Sequence, residues 1–455
     1  MPNVKTVPCI KLMNLRFSVI LCLLALFFGN TTVFGQSAAI SPYSSYGIGY
    51  LNNQIGVQGF SMGNTGNAMR NDSTSPFFVN LKNPASIFYN RITTFEAAII
   101  NDNVSLSTQG QTHNNSNGYF GYFEVVFPVG KYLGMSLGLT PMSSLGYDMV
   151  VSQNIDSISP VTGSPTTVGQ VSNEYSASGG INRAFFGLAF APFPKYLSIG
   201  INTSYLFGNL TSTQTMTYPP NYNAFNTQRT ENSFVQNIYF SSGFLLTLPA
   251  YKTWQITIGG TWAWSQNINA NYNLLTVNYL NNTGSVVNYD TIQDSNVNGK
   301  LRIPMMWGGG ITIKKGQSWT FTGDYSVQNW GQYTFFGQPQ TLTNATQYAF
   351  GMQYVPRKTA YSESYGQSIF YRLGYFHNAS YLNVSNSQIE EQAITFGIGF
   401  PLGPNLAQMH NSILNIGVQL GEFGTTADNL LQEKYIKVMV GLTFNDRWFI
   451  KRQYE

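Results

Sequence analysis

The feature that most constrains the fold of this chain is an alternation of apolar with polar or small residues, which recurs in segments of about ten residues. In the segment 435–444 every even position is apolar, from Ile436 to Phe444, while the odd positions are largely polar or small. The segments 394–400 and 414–420 repeat the pattern. Successive side chains of a strand point to opposite faces, so the pattern predicts strands with one apolar and one polar face.

The composition decides what the apolar faces meet. Charged residues make up 9% of the chain, against about 25% in ordinary soluble proteins. A soluble β-sandwich also alternates, but its outer faces would carry charges. After residue 36 no apolar run approaches the roughly 20 residues of a membrane helix. Because only helices and closed barrels satisfy their backbone within lipid, we expect an all-β fold, a transmembrane antiparallel β-barrel.

The first residues have the pattern of a secretory signal. An apolar run at 17–28 follows three cations and is too short to cross a bilayer as a helix. We expect residues 1–35 to be a signal peptide, cleaved after Gly35. The chain would then reach the outer membrane of a Gram-negative bacterium.

Loss of the signal narrows the chemistry that the mature chain can perform. Both cysteines, Cys9 and Cys22, lie within it, which excludes disulfides and cysteine metal ligands. Removing three cations and no acidic residue lowers the net charge from +4 to +1, which gives no support to nucleic-acid binding. No hydrolase or metalloprotease motif stands out. We therefore expect no enzyme activity, no cofactor and no metal, although a catalytic triad is defined by geometry rather than by order.

The connections predict the number of strands. Six short turns carry Pro, Gly or Lys, the first at 128–131, and seven longer Asn/Ser/Thr-rich segments lie between them, the longest at 267–297. Outer-membrane barrels have an even strand number, short periplasmic turns and long extracellular loops. We expect 14 strands between residues 92 and 444, and a periplasmic tail at 445–455.

Residues 36–91 fall outside this strand count and precede the first strand. Their Gly- and Asn-rich run can make turns and side-chain-to-backbone hydrogen bonds without regular structure. A barrel of 14 strands is too wide to be filled by its own side chains. We therefore expect an N-terminal hatch folded inside the lumen.

The hatch run also carries a resemblance. Gly63, Gly66 and then Asn83-Pro84-Ala85 resemble the hatch motif of the FadL-like outer-membrane transporters for long-chain fatty acids and other hydrophobic compounds. That resemblance implies a 14-stranded barrel, an N-terminal hatch and a lateral gap at a kink in the third strand. The stretches 41–47 and 445–455 look more like the PorV-like branch, which is associated with type 9 secretion.

Pro141 falls in the predicted third strand. Proline removes a ladder hydrogen bond and is tolerated mainly at bulges and edges. We therefore predict that Pro141 marks the kink at a lateral opening. The alternative is that Pro141 only ends the membrane part of the strand.

Alternation predicts which side chains face the lumen, where charges must be paired or wetted. One interpretation is that these polar groups hold the hatch in place. The sharper one is that Arg302 or Arg372 receives a carboxylate head group. Apolar side chains would then line an acyl-chain pocket, namely Phe120, Met306, Phe370 and Phe376.

Two functions remain after these exclusions. The first, which the hatch and Pro141 favour, is uptake of hydrophobic small molecules of the long-chain fatty-acid type, with lateral release into the membrane. The alternative is a non-transporting accessory subunit of an envelope secretion or membrane-protein assembly complex. The expected partners are outer-membrane lipid, together with a hydrophobic ligand in the first case and other envelope proteins in the second.

Overall fold

The computed structural model describes residues 41–71, 78–108, 110–158, 165–219, 224–249, 251–282, 285–356, 365–402 and 412–446. The predicted signal peptide, Asp72 of the hatch run and the tail from residue 447 onward lie outside these residues. Within them, no helix is long and apolar enough to span a membrane.

Strands dominate the described part of the chain, and we number them in chain order. They are β1 (Tyr50–Leu51), β2 (Thr93–Thr108), β3 (Gln111–Val129), β4 (Leu133–Ile158), β5 (Pro165–Phe193), β6 (Leu197–Thr217), β7 (Asn226–Thr247), β8 (Trp254–Ala263), β9 (Gln266–Asn282), β10 (Ser285–Ile303), β11 (Met306–Lys315), β12 (Trp319–Gln328), β13 (Thr334–Phe335), β14 (Gln338–Pro339), β15 (Ala345–Tyr354), β16 (Phe370–Val384), β17 (Ser387–Pro401), β18 (Ile413–Gly424) and β19 (Gln432–Asp446). The described helical segments are short: one α-helical turn, α1 (Val57–Phe60), and 3₁₀ turns at Pro42–Ser45, Pro84–Tyr89, Trp330–Gln332, Tyr365–Ser368 and Ala427–Asn429.

The sheet closes on itself as an antiparallel barrel of 14 strands, as predicted. The last strand pairs with the first barrel strand from Thr93↔Asp446 to Ser107↔Gln432. Strands β8 and β9 together form one barrel strand, and β10 and β11 form the next. Strand β1 belongs to the N-terminal segment, and the short strands β13 and β14 pair with each other between β12 and β15.

The outer face of the wall is apolar, as the alternation predicts. In β17 the side chains of Ile394, Phe396 and Ile398 are 40–49% exposed, whereas those of Ala393 and Thr395, which alternate with them, are buried. Few charges interrupt this surface, since charged residues make up 9% of the chain. Such a wall is suited to lipid rather than to water.

The ends of the barrel differ from the predicted pattern of loops. The segment 267–297, expected to be a loop, is mostly the hairpin of β9 and β10. A strand that extends into water can carry polar side chains on both faces. Its backbone hydrogen bonds are already satisfied by pairing with the neighbouring strand. We call this the hairpin end and the opposite one the turn end. At the turn end, the connection between β15 and β16 spans 355–369, longer than the predicted turn at 356–358.

The described residues before β2, 41–71 and 78–92, lie inside the barrel. Two apolar clusters fill the interior around them. The cluster toward the turn end joins Val57, Phe60 and Phe88 of this segment to wall residues such as Leu245. The cluster toward the hairpin end joins Tyr43 and Ile48 to buried residues of the wall and of its connections, among them Trp330, Tyr333, Phe376, Tyr381 and Phe423.

Candidate functional site

The hatch is fastened to the wall by a buried carboxylate. Asp324 of β12 accepts hydrogen bonds from the backbone N–H groups of Gly66 (2.7 Å) and Asn67 (2.9 Å). The same carboxylate forms an ion pair with Lys82 at 3.1 Å. Hydrogen bonds to an ionised acceptor are about twice as strong as neutral ones. Asp324 thus ties two parts of the hatch to one strand.

The Asn83-Pro84-Ala85 motif is a second attachment. The Asn83 side chain donates to the carbonyl oxygens of Asn67 (2.6 Å) and Phe244 (3.0 Å). Its Oδ1 accepts the N–H of Ala85 at 3.0 Å and so caps the 3₁₀ turn that follows. Ser198 of β6 donates to the carbonyl of Ala85 at 3.0 Å. The motif therefore joins the hatch to β6 and β7.

Gly63 lies against the wall at a place where no side chain fits. Its φ is 70°, and its N–H donates to Thr395 Oγ1 at 2.9 Å. A Cβ at this position would stand 2.5 Å from the carbonyl oxygens of Phe350 and Tyr375. Glycine is thus required here both for the backbone conformation and for the close approach.

The wall provides matching space for the hatch. A set of inward wall glycines, the glycine belt, faces hatch residues so closely that an added Cβ would lie 1.9–2.6 Å from a hatch atom. These glycines are Gly200, Gly243, Gly259, Gly351, Gly374, Gly397, Gly417 and Gly441. The hatch is therefore seated directly against the wall backbone at residues 57, 61–63, 67 and 83–85.

The wall is incomplete between β3 and β4. These strands pair from Val129↔Leu133 to Phe123↔Leu139, and no pairing of the two is described beyond that. The N-terminal segment covers the free edge of β4 instead. Strand β1 pairs with it at Tyr50↔Ser144. The backbone N–H of Asn52 donates to the carbonyl of Met142 at 3.0 Å.

Pro141 stands at this point of the wall. It pairs with Asn182 of β5, and a register shift follows it, since the next pair is Ser143↔Ile181. We call the opening between Leu139 and Ser144 the β3–β4 window. The segment 41–52 closes this window. Whether Pro141 acts as the kink of a lateral exit stays a prediction.

Three of the predicted ligand residues are engaged in packing and hydrogen bonding. Arg372 is buried, and it donates from Nε to Gln353 Oε1 (2.9 Å) and from Nη1 to Asn415 Oδ1 (2.8 Å). Its guanidinium lies 5.4 Å from the ring of Phe370. Phe376 is fully buried in the apolar cluster at the hairpin end. The space where an acyl chain was expected is occupied by protein.

The predicted inward orientation is wrong for Phe120. The pairing of β2 with β3 passes from Ala98↔Tyr122 to Ile99↔Phe120, so Gly121 is an extra, bulged residue. One extra residue moves the side chains beyond it to the opposite face. Phe120 is accordingly 43% exposed, whereas Tyr122 and Glu124 are buried.

The predicted inward orientation is also wrong for Arg302. Leu301 and Ile303 on either side of it are buried, whereas Arg302 is exposed and donates from Nε to Ser265 Oγ at 3.1 Å. The strand is interrupted at 304–305, between β10 and β11. When alternate residues are counted back from Met306 through this break, Arg302 is therefore assigned to the wrong face of the strand.

Met306, the remaining candidate, lines a cavity of about 170 Å³ between the hatch and the wall. Arg183 of β5 lines the same cavity, and it is 3% exposed with its guanidinium 5.0 Å from the ring of Phe185. Its Nε and Nη2 have no hydrogen-bond partner among the described residues. Nothing in the sequence distinguished Arg183 from the other arginines as a ligand residue.

The titratable side chains of the described ranges form no candidate metal site. No group of three or more His, Cys, Asp or Glu side chains there could hold a metal ion. His377 lies 3.3 Å from Glu390 at an exposed position, and its ring stacks on Tyr348. His410 lies outside the described residues.

A closed 14-stranded barrel with an inserted N-terminal hatch defines the fold class, and solved structures share it. A FadL homologue of Pseudomonas aeruginosa superposes with a TM-score of 0.53 at 10% identity, covering 88% of this chain and 100% of that one. The toluene transporter TodX of Pseudomonas putida gives a TM-score of 0.51 at 12% identity, covering 88% and 99% of the two chains. At such identities the likeness concerns the fold alone.

The sequence itself identifies the family. The BamG family model matches residues 15–455, which is nearly the whole chain. The chain therefore belongs to the BamG family. A search of curated protein sequences finds no match.

Proposed function

We propose that this protein is a sealed, non-transporting barrel of the Gram-negative outer membrane, acting as an accessory subunit of an envelope secretion or membrane-protein assembly complex. One observation carries the proposal. The interior positions where a ligand was expected are filled, with Arg372 bonded to Gln353 and Asn415 and with Phe376 fully buried. A barrel without a conduit contributes through its wall, its ends or its edges.

The seating of the hatch supports the same reading. Asp324 holds Gly66, Asn67 and Lys82 at 2.7–3.1 Å, and the glycine belt brings wall and hatch backbones together. The cavity lined by Met306 and Arg183, about 170 Å³, is well below the roughly 300–1,000 Å³ of ordinary ligand pockets. A long acyl chain has no room in it.

The test is gentle extraction of the native outer membrane through an affinity tag, followed by mass analysis of copurifying proteins and lipids together. The proposal expects one or more envelope proteins in stoichiometric amount and no long-chain apolar molecule within the barrel. A monomer that carries a fatty acid or a similar compound would overturn it.

Photo-crosslinking locates the partner on the wall and supplies a control. A photoreactive phenylalanine analogue is placed at outward positions around the barrel, namely Phe120, Phe207, Phe240, Phe321, Phe350 and Phe396, all 37–58% exposed. The proposal expects protein crosslinks from neighbouring positions on one side and lipid adducts elsewhere. Lipid adducts at every position would show that the partner protein does not contact the outer wall of the barrel.

Uptake of hydrophobic small molecules is the second candidate, and the β3–β4 window favours it. The window is closed by hydrogen bonds to the segment 41–52, such as that from Asn52 to Met142 at 3.0 Å. A shift of that segment would open the wall beside Pro141 without moving the seated part of the hatch. Release of an apolar molecule into the membrane would then follow.

A further inference from the structure

A second interruption of the wall lies between β7 and the strand formed by β8 and β9. Pairing of β7 with β9 ends at Val235↔Ala270, and pairing of β7 with β8 begins at Ser242↔Trp262. Residues 236–241 between them have no ladder partner on that side within the described chain. Backbone groups of a membrane wall must be satisfied in some other way.

Side-chain amides span this interruption. Gln266 accepts the N–H of Phe240 at 2.8 Å and donates to the carbonyl of Phe240 at 2.9 Å. It also donates to the carbonyl of Trp264 at 3.2 Å. Asn237 donates to the carbonyl of Asn267 at 3.0 Å. A rotatable amide thus takes the place of fixed ladder bonds at this point of the wall.

The 170 Å³ cavity lies behind the interruption. Its lining includes hatch residues such as Leu51 and Ile55, and also Ser241 and Ala263 at the edges of the interruption. Exposed Trp262 lines it as well. The cavity therefore extends from the hatch to the outer wall. Tryptophan is enriched where a barrel meets the membrane interface.

Two arginines flank the same interruption. Arg183 lines the cavity, buried, with two nitrogen atoms that have no partner among the described residues. Arg302 lies outside, where it donates to Ser265 between β8 and β9. A buried guanidinium nitrogen without a partner costs free energy that an anionic ligand would recover. Guanidinium geometry matches a carboxylate.

We propose that the β7–β9 interruption is a lateral portal, latched by Gln266, to a binding cavity for a small amphipathic carboxylate. Arg302 attracts the carboxylate at the outer mouth, and Arg183 binds it inside. A cavity of about 150 Å³ holds benzene in another protein, so the apolar part is limited to a ring or a short alkyl chain. The portal is a different opening from the β3–β4 window, whose Leu51, Asn52 and Met142 also line the cavity, and it does not depend on the accessory role.

Tryptophan quenching in lipid nanodiscs tests the site. The probe is 6-bromohexanoate, and its neutral control is 6-bromohexan-1-ol. The portal and cavity predict saturable quenching by the acid. We expect the alcohol to bind at least about tenfold more weakly. Trp262 and Trp307 both line the cavity, so a double W262F and W307F variant is expected to lose the saturable component. Equal affinity for acid and alcohol would overturn the carboxylate assignment.

Variants separate the cavity from the latch. Arg183→Met is expected to weaken binding of the acid about tenfold or more, while Arg183→Lys retains the charge and most of the affinity. Unchanged binding by a folded Arg183→Met protein would overturn the site. If Arg183→Met does not fold, Arg183→Lys decides, since loss of the acid–alcohol difference in that variant contradicts charge recognition.

The rates of ligand binding and release test the latch. Gln266→Ala is expected to speed both binding and release of 6-bromohexanoate about threefold or more, with little change in Kd. Gln392→Ala is the matched control, because Gln392 also makes a wall side-chain hydrogen bond, to Glu422 at 2.6 Å, but stands in an intact ladder. Rates that equal the wild type in both variants would overturn the portal.

Discussion

The two sides of the barrel wall are built differently. From β12 to β19 the strands stay paired wherever they face the hatch, and Asp324 and the glycines at 351, 374, 397 and 417 hold it. From β3 to β9 the wall is interrupted twice, beyond Leu139 and between Val235 and Ser242. The hatch is seated against both sides, through Asp324 on the first and through Asn83 and the glycines at 200, 243 and 259 on the second, but the interruptions lie on the second side.

This difference teaches that a plugged lumen and a continuous wall are separate properties. The seated part of the hatch approaches the wall at backbone distance, so moving it would break many contacts at once. The interrupted side is closed by a two-residue strand and by side-chain amides. Three predictions follow on this contrast, in order of expected effect.

Gly374→Leu is expected to have the largest effect, because an added Cβ would lie 2.2 Å from the backbone nitrogen of Gly63. We expect a loss above about 4 kcal/mol or failure to fold, measured by the heat-dependent gel mobility of the barrel. Gly309→Leu is the control, since no atom lies within 4 Å of its added Cβ. Similar folding of both variants would contradict the close contact between the hatch and the wall at Gly374.

Asp324→Asn removes the charge that pairs with Lys82 and accepts two backbone N–H groups. We expect a loss of about 2–4 kcal/mol in the free energy of unfolding, measured by denaturant titration. The control is Glu231→Gln, which breaks the exposed Arg229–Glu231 pair and is expected to cost less than about 1 kcal/mol. Equal losses would show that Asp324 has no special part in holding the hatch.

A disulfide between Leu51→Cys and Ser143→Cys locks the β3–β4 window with little effect on stability. These residues are directly opposed in the β1–β4 pair, and such pairs have Cα separations of about 4.5–5.5 Å, within reach of a disulfide. If the protein acts as an accessory subunit, we expect the locked protein to retain its copurifying partners and full function in cells. Loss of uptake of an apolar compound, restored by a reductant, would favour the transport candidate instead.

The sequence predicted the closed barrel and its 14 strands, because alternation and turn residues are local signals. It did not predict the faces of Phe120 and Arg302. A bulge at Gly121 and a break at 304–305 each shift the phase, and neither has a reliable local signature. It also missed the unpartnered nitrogens of Arg183, since partners of a buried group come from strands distant in sequence.

Hydrogen exchange of the protein in lipid nanodiscs, followed by mass spectrometry, tests the central contrast most directly. Peptides covering 57–69 and 83–89 are expected to be protected as strongly as β16 and β17, whereas peptides covering 41–52 and 236–241 exchange faster by at least about tenfold. Equally rapid exchange throughout the hatch would contradict a seated plug. Uniform protection that includes 41–52 and 236–241 would contradict an interrupted side that can open.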